Sequence, residues 1–258
     1  METLLSELNN HVLTLTFNHA EKHNAFDGPL LQCLQQKLDE GIGSPDVKII
    51  VLKAKGQHFS AGADLDWMRR MADFNETENH DDAMVLARVL FTLHQSPKPT
   101  VVVAQGSSFG GGAGLIAACD IAIAAENAHF CFPETRLGLI PAVISPYVVR
   151  SLGERIAAWL FMSAQIINAD KACQLGLIQY VAPQDKLEQF TEDFLDKLTH
   201  LAPEALLACK PLVKHVSHHP LNAELIDYTA SLLAKKRVSD EGQHGLQAFL
   251  NKTKPRWS

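Results

Sequence analysis

The chain has 258 residues, 47% of them hydrophobic and 20% charged, and a formal net charge of -6. That length buries one large core or two modest ones, and the composition excludes extended disorder. The acidic balance argues against broad nucleic-acid binding, and no apolar stretch is long enough to span a bilayer, so the chain reads as a soluble, cytoplasmic protein without a membrane segment.

Met1 to Asn10 carries two glutamates and no Lys or Arg, which does not fit a secretory signal. From His11 to Phe17 the residues alternate, with Leu13, Leu15 and Phe17 on one face, and predict a strand. Asp27-Gly28-Pro29 then reads as a cap with Pro in the first helical turn, and Leu30, Leu34, Leu38 and Ile42 follow at helical spacing. The apolar, β-branched runs Val47 to Leu52, Thr100 to Ala104 and Ile121 to Ala124 predict buried strands. A helix is expected around Leu115 to Cys119 and another through Leu152, Ile156 and Leu160.

Beyond Gln184 the patterns are helical: Leu187, Phe190, Phe194 and Leu198, then Leu221, Leu225, Ile226 and Leu232 to Leu233, then a helix capped at Ser239 or Asp240 and running through Phe249. The layout is an α/β core over residues 1–184 and a helical region over 185–258, which must pack on the core or on another subunit. The five cysteines are scattered, odd in number and without a CxxC pair, which argues against a disulfide framework or a zinc site. His215, His218 and His219 have no accompanying ligands and read as a solvated helix end.

Two small-residue turns follow two of the buried strands. The first is Phe59-Ser60-Ala61-Gly62-Ala63-Asp64-Leu65, and the second runs from Gln105 through Gly110-Gly111-Gly112 to Gly114. Small residues let a backbone approach a ligand closely, and successive N–H groups can face an anion. No Lys follows the glycines, so the second turn is not a Walker loop, and its glycines are not spaced as GxGxxG. A tight turn with close helix packing accounts for it equally well. A third segment, Phe132-Pro133-Glu134-Thr135-Arg136-Leu137-Gly138, sets one carboxylate in largely apolar surroundings, where a raised pKa suits proton transfer. Asp120 reads as a structural carboxylate at a strand start, and His58 and His129 as structural histidines.

Taken in order, Asn18 to Ala25, Phe59 to Leu65, Gly110 to Gly112 with Ala118 to Ile121, Pro133-Glu134 with Leu137-Gly138, and Ala169 to Ala172 with Leu175 to Leu177 resemble the enoyl-CoA hydratase/isomerase (crotonase) family from end to end. The closing Ala248 to Pro255 also resembles that family's C-terminus. The resemblance implies a spiral of ββα turns with a helical C-terminal region that builds homotrimers, often paired into hexamers. It implies an oxyanion hole from the N–H groups of Ala63 and Gly111, with Glu134 as the catalytic glutamate. Lys22, Ala25, Ala61, Asp64 and Leu65 would line the coenzyme A site. No metal or redox cofactor is implied, because coenzyme A is part of the substrate.

Two departures from typical hydratases stand out. Gly114 occupies the position of a second catalytic glutamate, and Ala142-Val143-Ile144-Ser145-Pro146 replaces a glycine-rich turn. The latter form resembles the branch holding 3-methylglutaconyl-CoA and isohexenylglutaconyl-CoA hydratases. The expected substrate is therefore a branched or carboxylated enoyl-CoA, with Gly114 removing a repelling charge and opening space for a branch at C3. The alternatives are a double-bond isomerase that needs one base, and a catalytically weak member that binds acyl-CoA or RNA.

Overall fold

The computed structural model describes residues 2–257. Met1 and Ser258, which open and close the two regions expected from the sequence, lie outside the described residues. Backbone contacts divide the chain into one unit up to Asp193 and another from Phe194 onward.

The first unit is built on a six-stranded sheet. Strand β1 (Leu4–Asn9) turns back antiparallel onto β2 (Val12–Phe17) through Asn10 and His11, both at positive φ. The strands β3 (Ile49–Ala54), β4 (Thr100–Ala104), β6 (Ile121–Ala125) and β9 (Tyr180–Ala182) then add in parallel, in the spatial order β1-β2-β3-β4-β6-β9. A smaller sheet runs β5 (Ser107–Phe109), β7 (His129–Cys131), β8 (Ile167–Asn168). Strand β4 is buried along its whole length and β3 over Ile49 to Leu52, which is why both read as continuous apolar runs rather than alternating ones.

The helices follow the strands in a repeating pattern. Helix α1 (Gly28–Gly43) starts where expected, with the Asp27 side chain accepting from Leu30 N–H at 3.0 Å. After β3 come α2 (Leu65–Met71) and α3 (Glu76–Gln95), and β4 and β5 are followed by α4 (Gly111–Ala118). Next, β6 and β7 lead through a short 3-10 turn, Glu134–Leu137, to α5 (Ser145–Leu152) and α6 (Glu154–Ser163), and β8 leads to α7 (Ala169–Leu175) and β9. The turns β4-β5-α4 and β6-β7-α5 each give one strand to the large sheet and one to the small sheet, in the spiral that the resemblance implies. In the turn containing β3, the second strand shrinks to isolated bridges, Ser60 with Ser108 and Phe26 with Ala63.

Three sequence expectations shift. The strand expected from Val47 begins instead at Ile49, because Val47 N–H closes a turn onto Ser44 O. The helix expected to begin near Leu115 starts four residues earlier, at Gly111. The single helix expected through Leu152, Ile156 and Leu160 is two, broken at Gly153, whose φ of 77° cannot continue a right-handed helix. Strand β1 gave no sequence signal, since its outer residues are exposed and carry no alternation.

Helix α8 (Leu187–Thr199) crosses the boundary between the units. The second unit adds α9 (Pro203–Ser217), α10 (Ala223–Arg237) and α11 (Asp240–Leu250). Asn222 and Ser239 cap α10 and α11. The carboxylate of Glu241 on α11 caps α9 from a distance, accepting from the N–H groups of Glu204 at 2.7 Å and Ala205 at 2.9 Å. An apolar groove of about 540 Å³ lies between α9 and α10, lined by Leu212, Val213, Val216, Leu232 and Leu233 among others. His215 closes the polar end of α9, stacked between His219 and Tyr228.

Candidate active site

The first small-residue turn is held by Asn24. This buried residue, at a φ of 52°, donates to the carbonyls of Lys55 and His58 at 2.8 Å each and accepts from His19 N–H at 2.9 Å. It clamps the loop before α1 onto the loop after β3. Ser60 Oγ then donates to Asn24 O at 2.8 Å and accepts from Gly62 N–H at 3.1 Å. Phe26 N–H donates to Gly62 O and Asp64 N–H to Phe26 O. In a strand-like ladder this alternation turns the N–H of Ala63 to the other side, away from Phe26.

The second turn is laced to the first. Ser60 N–H donates to Ser107 O at 3.2 Å, and Phe109 N–H to Ser60 O at 3.0 Å. Gly110 stands at φ 51°, ψ -120°, which demands glycine, and its own N–H donates to Cys131 O. Gly111 opens α4, and an N–H in the first turn of a helix has no partner within it and faces the positive end of the dipole. A Cβ on Gly111 would stand 2.5 Å from Phe26 Cζ and 3.2 Å from Leu86 Cδ2. A Cβ on Gly62 would stand 3.9 Å from Gly111 N, so the turn bearing Ala63 and the helix start at Gly111 meet. Two main-chain donors in this relation can serve one developing oxyanion.

Strand β7 runs in register with β5, pairing Cys131 with Phe109, and so delivers the 3-10 turn beside Gly110. The carboxyl of Glu134 lies against that glycine: Oε1 is 3.2 Å from where a Gly110 Cβ would be. Its Oε2 is buried and has no hydrogen-bond partner among the described residues. Burial pushes the Glu134 pKa above the usual carboxylate range, with its own backbone N–H opposing in part. The neighbouring cation does not relieve this, because Arg136 spends its guanidinium on Ala164 O at 2.5 Å. A half-buried carboxyl with one oxygen unpaired is suited to taking and returning a proton.

The other expected site residues divide into two groups. Lys22, Ala25, Ala61, Asp64 and Leu65 come together around the first turn. Lys22 Nζ sits 2.8 Å from Asp64 and 3.5 Å from Asp66, and the hydrogen bond from Lys22 holds the Asp64 carboxyl below its ordinary range. Asp64 also caps α2, accepting from Asp66 and Trp67 N–H. Ala61 is exposed, Leu65 is 68% exposed, and Ala25 is buried, so Ala25 offers only its backbone.

Gly114 requires a correction. It was expected to open space for a branch, but that space is filled. A Cβ on Gly114 would overlap Ile144 Cγ2 and stand 2.8 Å from Ile144 Cβ. Glycine is there because the Ile144 side chain packs onto the helix backbone. Sequence reasoning missed this use of Ile144, along with the Phe26 and Leu86 contacts to Gly111. The residues are plain in the sequence, but their contacts join segments 25 or more positions apart. Asp120 is structural as expected, accepting from both the N–H and the hydroxyl of Thr100 at 2.9 Å. His58 accepts from Ser107 N–H at 3.0 Å, and burial lowers its pKa. Trp67 is buried and donates to Asp82 at 2.8 Å.

Among known proteins, the family model described as enoyl-CoA hydratase/isomerase matches residues 7–258. A solved structure from Legionella pneumophila, named for enoyl CoA hydratase/isomerase (crotonase), is 53% identical, covers 100% of both chains and superposes with a TM-score of 0.97. The 2,3-dehydroadipyl-CoA hydratase of Escherichia coli is 30% identical over 99% of this chain and 98% of its own. The trans-2-decenoyl-[acyl-carrier-protein] isomerase of Streptococcus mutans is 27% identical over 99% of this chain and 97% of its own. With a family match over nearly its whole length and the spiral of ββα turns in place, the chain belongs to the enoyl-CoA hydratase/isomerase family.

Proposed function

We propose that this protein adds water across the α,β double bond of a branched, carboxylated enoyl-CoA such as 3-methylglutaconyl-CoA. The observation that carries the reading is the carboxyl of Glu134, buried on one oxygen and lying against Gly110 at the start of α4. The thioester carbonyl accepts from the N–H groups of Ala63 and Gly111, which stabilise the enolate oxygen as charge develops on it. Glu134 takes a proton from water as oxygen attacks C3 and returns a proton to C2, so one group serves both steps in a syn addition. Lys22, Ala25, Ala61, Asp64 and Leu65 line the coenzyme A side of the site. A second buried carboxylate would repel a substrate that carries its own, and the space over Gly114 holds hydrocarbon instead. The name of the E. coli relative denotes a straight-chain dicarboxylic acyl group and supports the carboxylated part of this reading alone.

The second reading is double-bond isomerisation, in which Glu134 carries a proton from one carbon to another. What favours it is that the nearest atoms over Gly114 belong to Ile144, which has no side-chain group that could hold a water. Mass spectrometry of the purified protein against a panel of enoyl-CoA thioesters in heavy water separates the two: hydration adds the mass of water, whereas isomerisation only exchanges hydrogen for deuterium. Failure to transform any thioester in the panel would end both readings. We further propose that the second unit holds a homotrimer or hexamer together, on the strength of the α9–α10 groove and the exposed Leu221, Val238, Phe249 and Leu250.

A further inference from the structure

The seam between the two small-residue turns ends in a side chain. Around the Ser60–Ser108 bridge, Ser60 N–H donates to Ser107 O and Phe109 N–H to Ser60 O, as in a parallel ladder. The next rung of such a ladder would run from Ser107 N–H to His58 O. That carbonyl is already taken, because Asn24 Nδ2 donates to it at 2.8 Å. The imidazole of His58 supplies the rung instead, its Nδ1 accepting from Ser107 N–H at 3.0 Å. The ring lies over Gly106, where a Cβ would stand 2.6 Å from Nδ1.

An imidazole nitrogen accepts only while it carries no proton. His23, on the loop before α1, meets the His58 ring in an edge-to-face contact with centroids 5.0 Å apart. Burial first, and then His23, lowers the His58 pKa, so the accepting form is favoured. A cavity of about 450 Å³ beside the ring is lined by Gln57, Gln105, Asn127, His129 and Gln184 among others, and no carboxylate among the described residues lines it. His129 turns Nδ1 to Asn127 O at 2.9 Å. Of the charged residues on the adjoining loops, Glu21 meets His19 and Lys22 meets Asp64, while Glu126 accepts from Gln184 N–H. Lys55, Asp185 and Lys186 complete the set.

We propose that neutral His58 is a positioning residue: its Nδ1 closes the seam that holds the Ala63 turn against the start of α4, and a proton on that nitrogen opens it. The inference rests on the oxyanion-hole roles proposed above for the N–H groups of Ala63 and Gly111. A protonated Nδ1 would meet Ser107 N–H donor to donor and leave that N–H without its acceptor. Ser107 stands four residues before Gly111, and Ser60, which donates to it, three before Ala63. Release at Ser107 therefore lets both N–H groups drift from the thioester oxygen, and thioester activation weakens without any change at Glu134.

The test compares the full-length protein with His58→Asn, whose Oδ1 can stand where Nδ1 stands and does not titrate, and with His58→Leu, which has no acceptor. The probe is saturated 3-methylglutaryl-CoA, isotopically labelled at the thioester carbonyl, and the reading is its carbonyl band by difference infrared as pH falls. In wild type the bound band should lie below the free one at about pH 8 and return toward it at a pH below about 6.5, the ordinary imidazole value. His58→Asn should hold the displaced band throughout, and His58→Leu should show little displacement at any pH. With 3-methylglutaconyl-CoA at about pH 8, His58→Leu should lose about tenfold in kcat with KM nearly unchanged, a part of the roughly 100-fold or more that follows outright loss of an oxyanion donor. His58→Asn should keep the wild-type kcat there. Glu134 is common to all three proteins, so its own titration cancels in the comparison. Wild-type and His58→Asn bands that move together with pH overturn the assignment, even if His58→Leu does not fold, and so does a folded His58→Leu with full displacement. A wild-type protein that displaces the band without turning over 3-methylglutaconyl-CoA removes the proposed substrate alone. One that shows no displaced band at about pH 8 removes the oxyanion hole and this inference together.

Discussion

Glu134 and Ile144 press on the same helix one turn apart, the carboxyl of one against Gly110 and the hydrocarbon of the other over Gly114. Nine residues of chain lie between them, so a single excursion from the sheet brings both a carboxyl and a hydrocarbon side chain to α4.

Glu134→Gln is expected to lower kcat by about 100-fold or more, the lower range for loss of a positioned acid–base group. Acyl-CoA affinity should change little, since the amide keeps the shape. A rate assay and calorimetric titration with a product thioester measure the two halves. A variant with normal kcat would remove Glu134 from the chemistry.

The same substitution makes a stability prediction. Burial raises the Glu134 pKa in the folded state above its unfolded value. The folded chain thus favours the protonated form, and stability is lost as pH rises through the folded pKa, when a poorly solvated charge must form. Glu134→Gln should therefore melt above wild type at neutral pH, with the gap closing as pH falls below the unfolded glutamate pKa of about 4.3, where folded and unfolded carboxyls both become protonated. Thermal melts of both proteins across that range would show it, and a constant offset would speak against it.

Gly114→Ala should cost about 1–3 kcal/mol of stability through overpacking against Ile144. In an Ile144→Ala background the penalty should shrink but not vanish, because the Cγ2 overlap disappears while the Cβ remains 2.8 Å away. A double-mutant cycle from denaturant melts measures the coupling. Strict additivity would mean that the two residues do not meet as described.

Glu241→Ala should destabilise the second unit by about 1 kcal/mol, the usual worth of a lost helix cap. Two N–H groups at the start of α9 lose their acceptor. Hydrogen exchange at Glu204 and Ala205 should rise while the amides of β4 stay protected. Equal protection in the two proteins would discount this remote cap.

Light scattering on the full chain should return three or six times 28.4 kDa. Charge placed on the α9–α10 groove, as in Leu233→Glu, should lower that mass. A monomer at micromolar concentration in the wild type would exclude the proposed assembly.

What was legible in the sequence follows from how local each signal is. The Asp27 cap with Pro29, the buried runs of β4 and β6 and the helical spacing after Gln184 depend on neighbouring residues and could be read directly. The motif order was enough to bring Ala63, Gly111 and Glu134 into view together. The two-residue strand β8 and the exposed strand β1 lack the length or alternation that produces a signal. Gly153 interrupts a helical pattern that side-chain spacing alone carries straight through, because spacing does not report φ. The role of Gly114 was misread for a related reason: a glycine shows that room is needed, but not which distant side chain takes it. Here it is Ile144, thirty residues on.

On the proposed reading, the groups that activate the thioester at Ala63 and at the helix start Gly111 are main-chain N–H groups, not side chains. Point mutation cannot delete an N–H except by introducing proline; it can only bend the turn that carries it. The carboxyl at position 134 and the covering at position 114 have no such protection, and one codon changes either. On the reading proposed above, divergence on this scaffold would leave activation of the thioester fixed while the fate of the enolate drifts, through whichever groups the 134–144 excursion happens to bring to the helix.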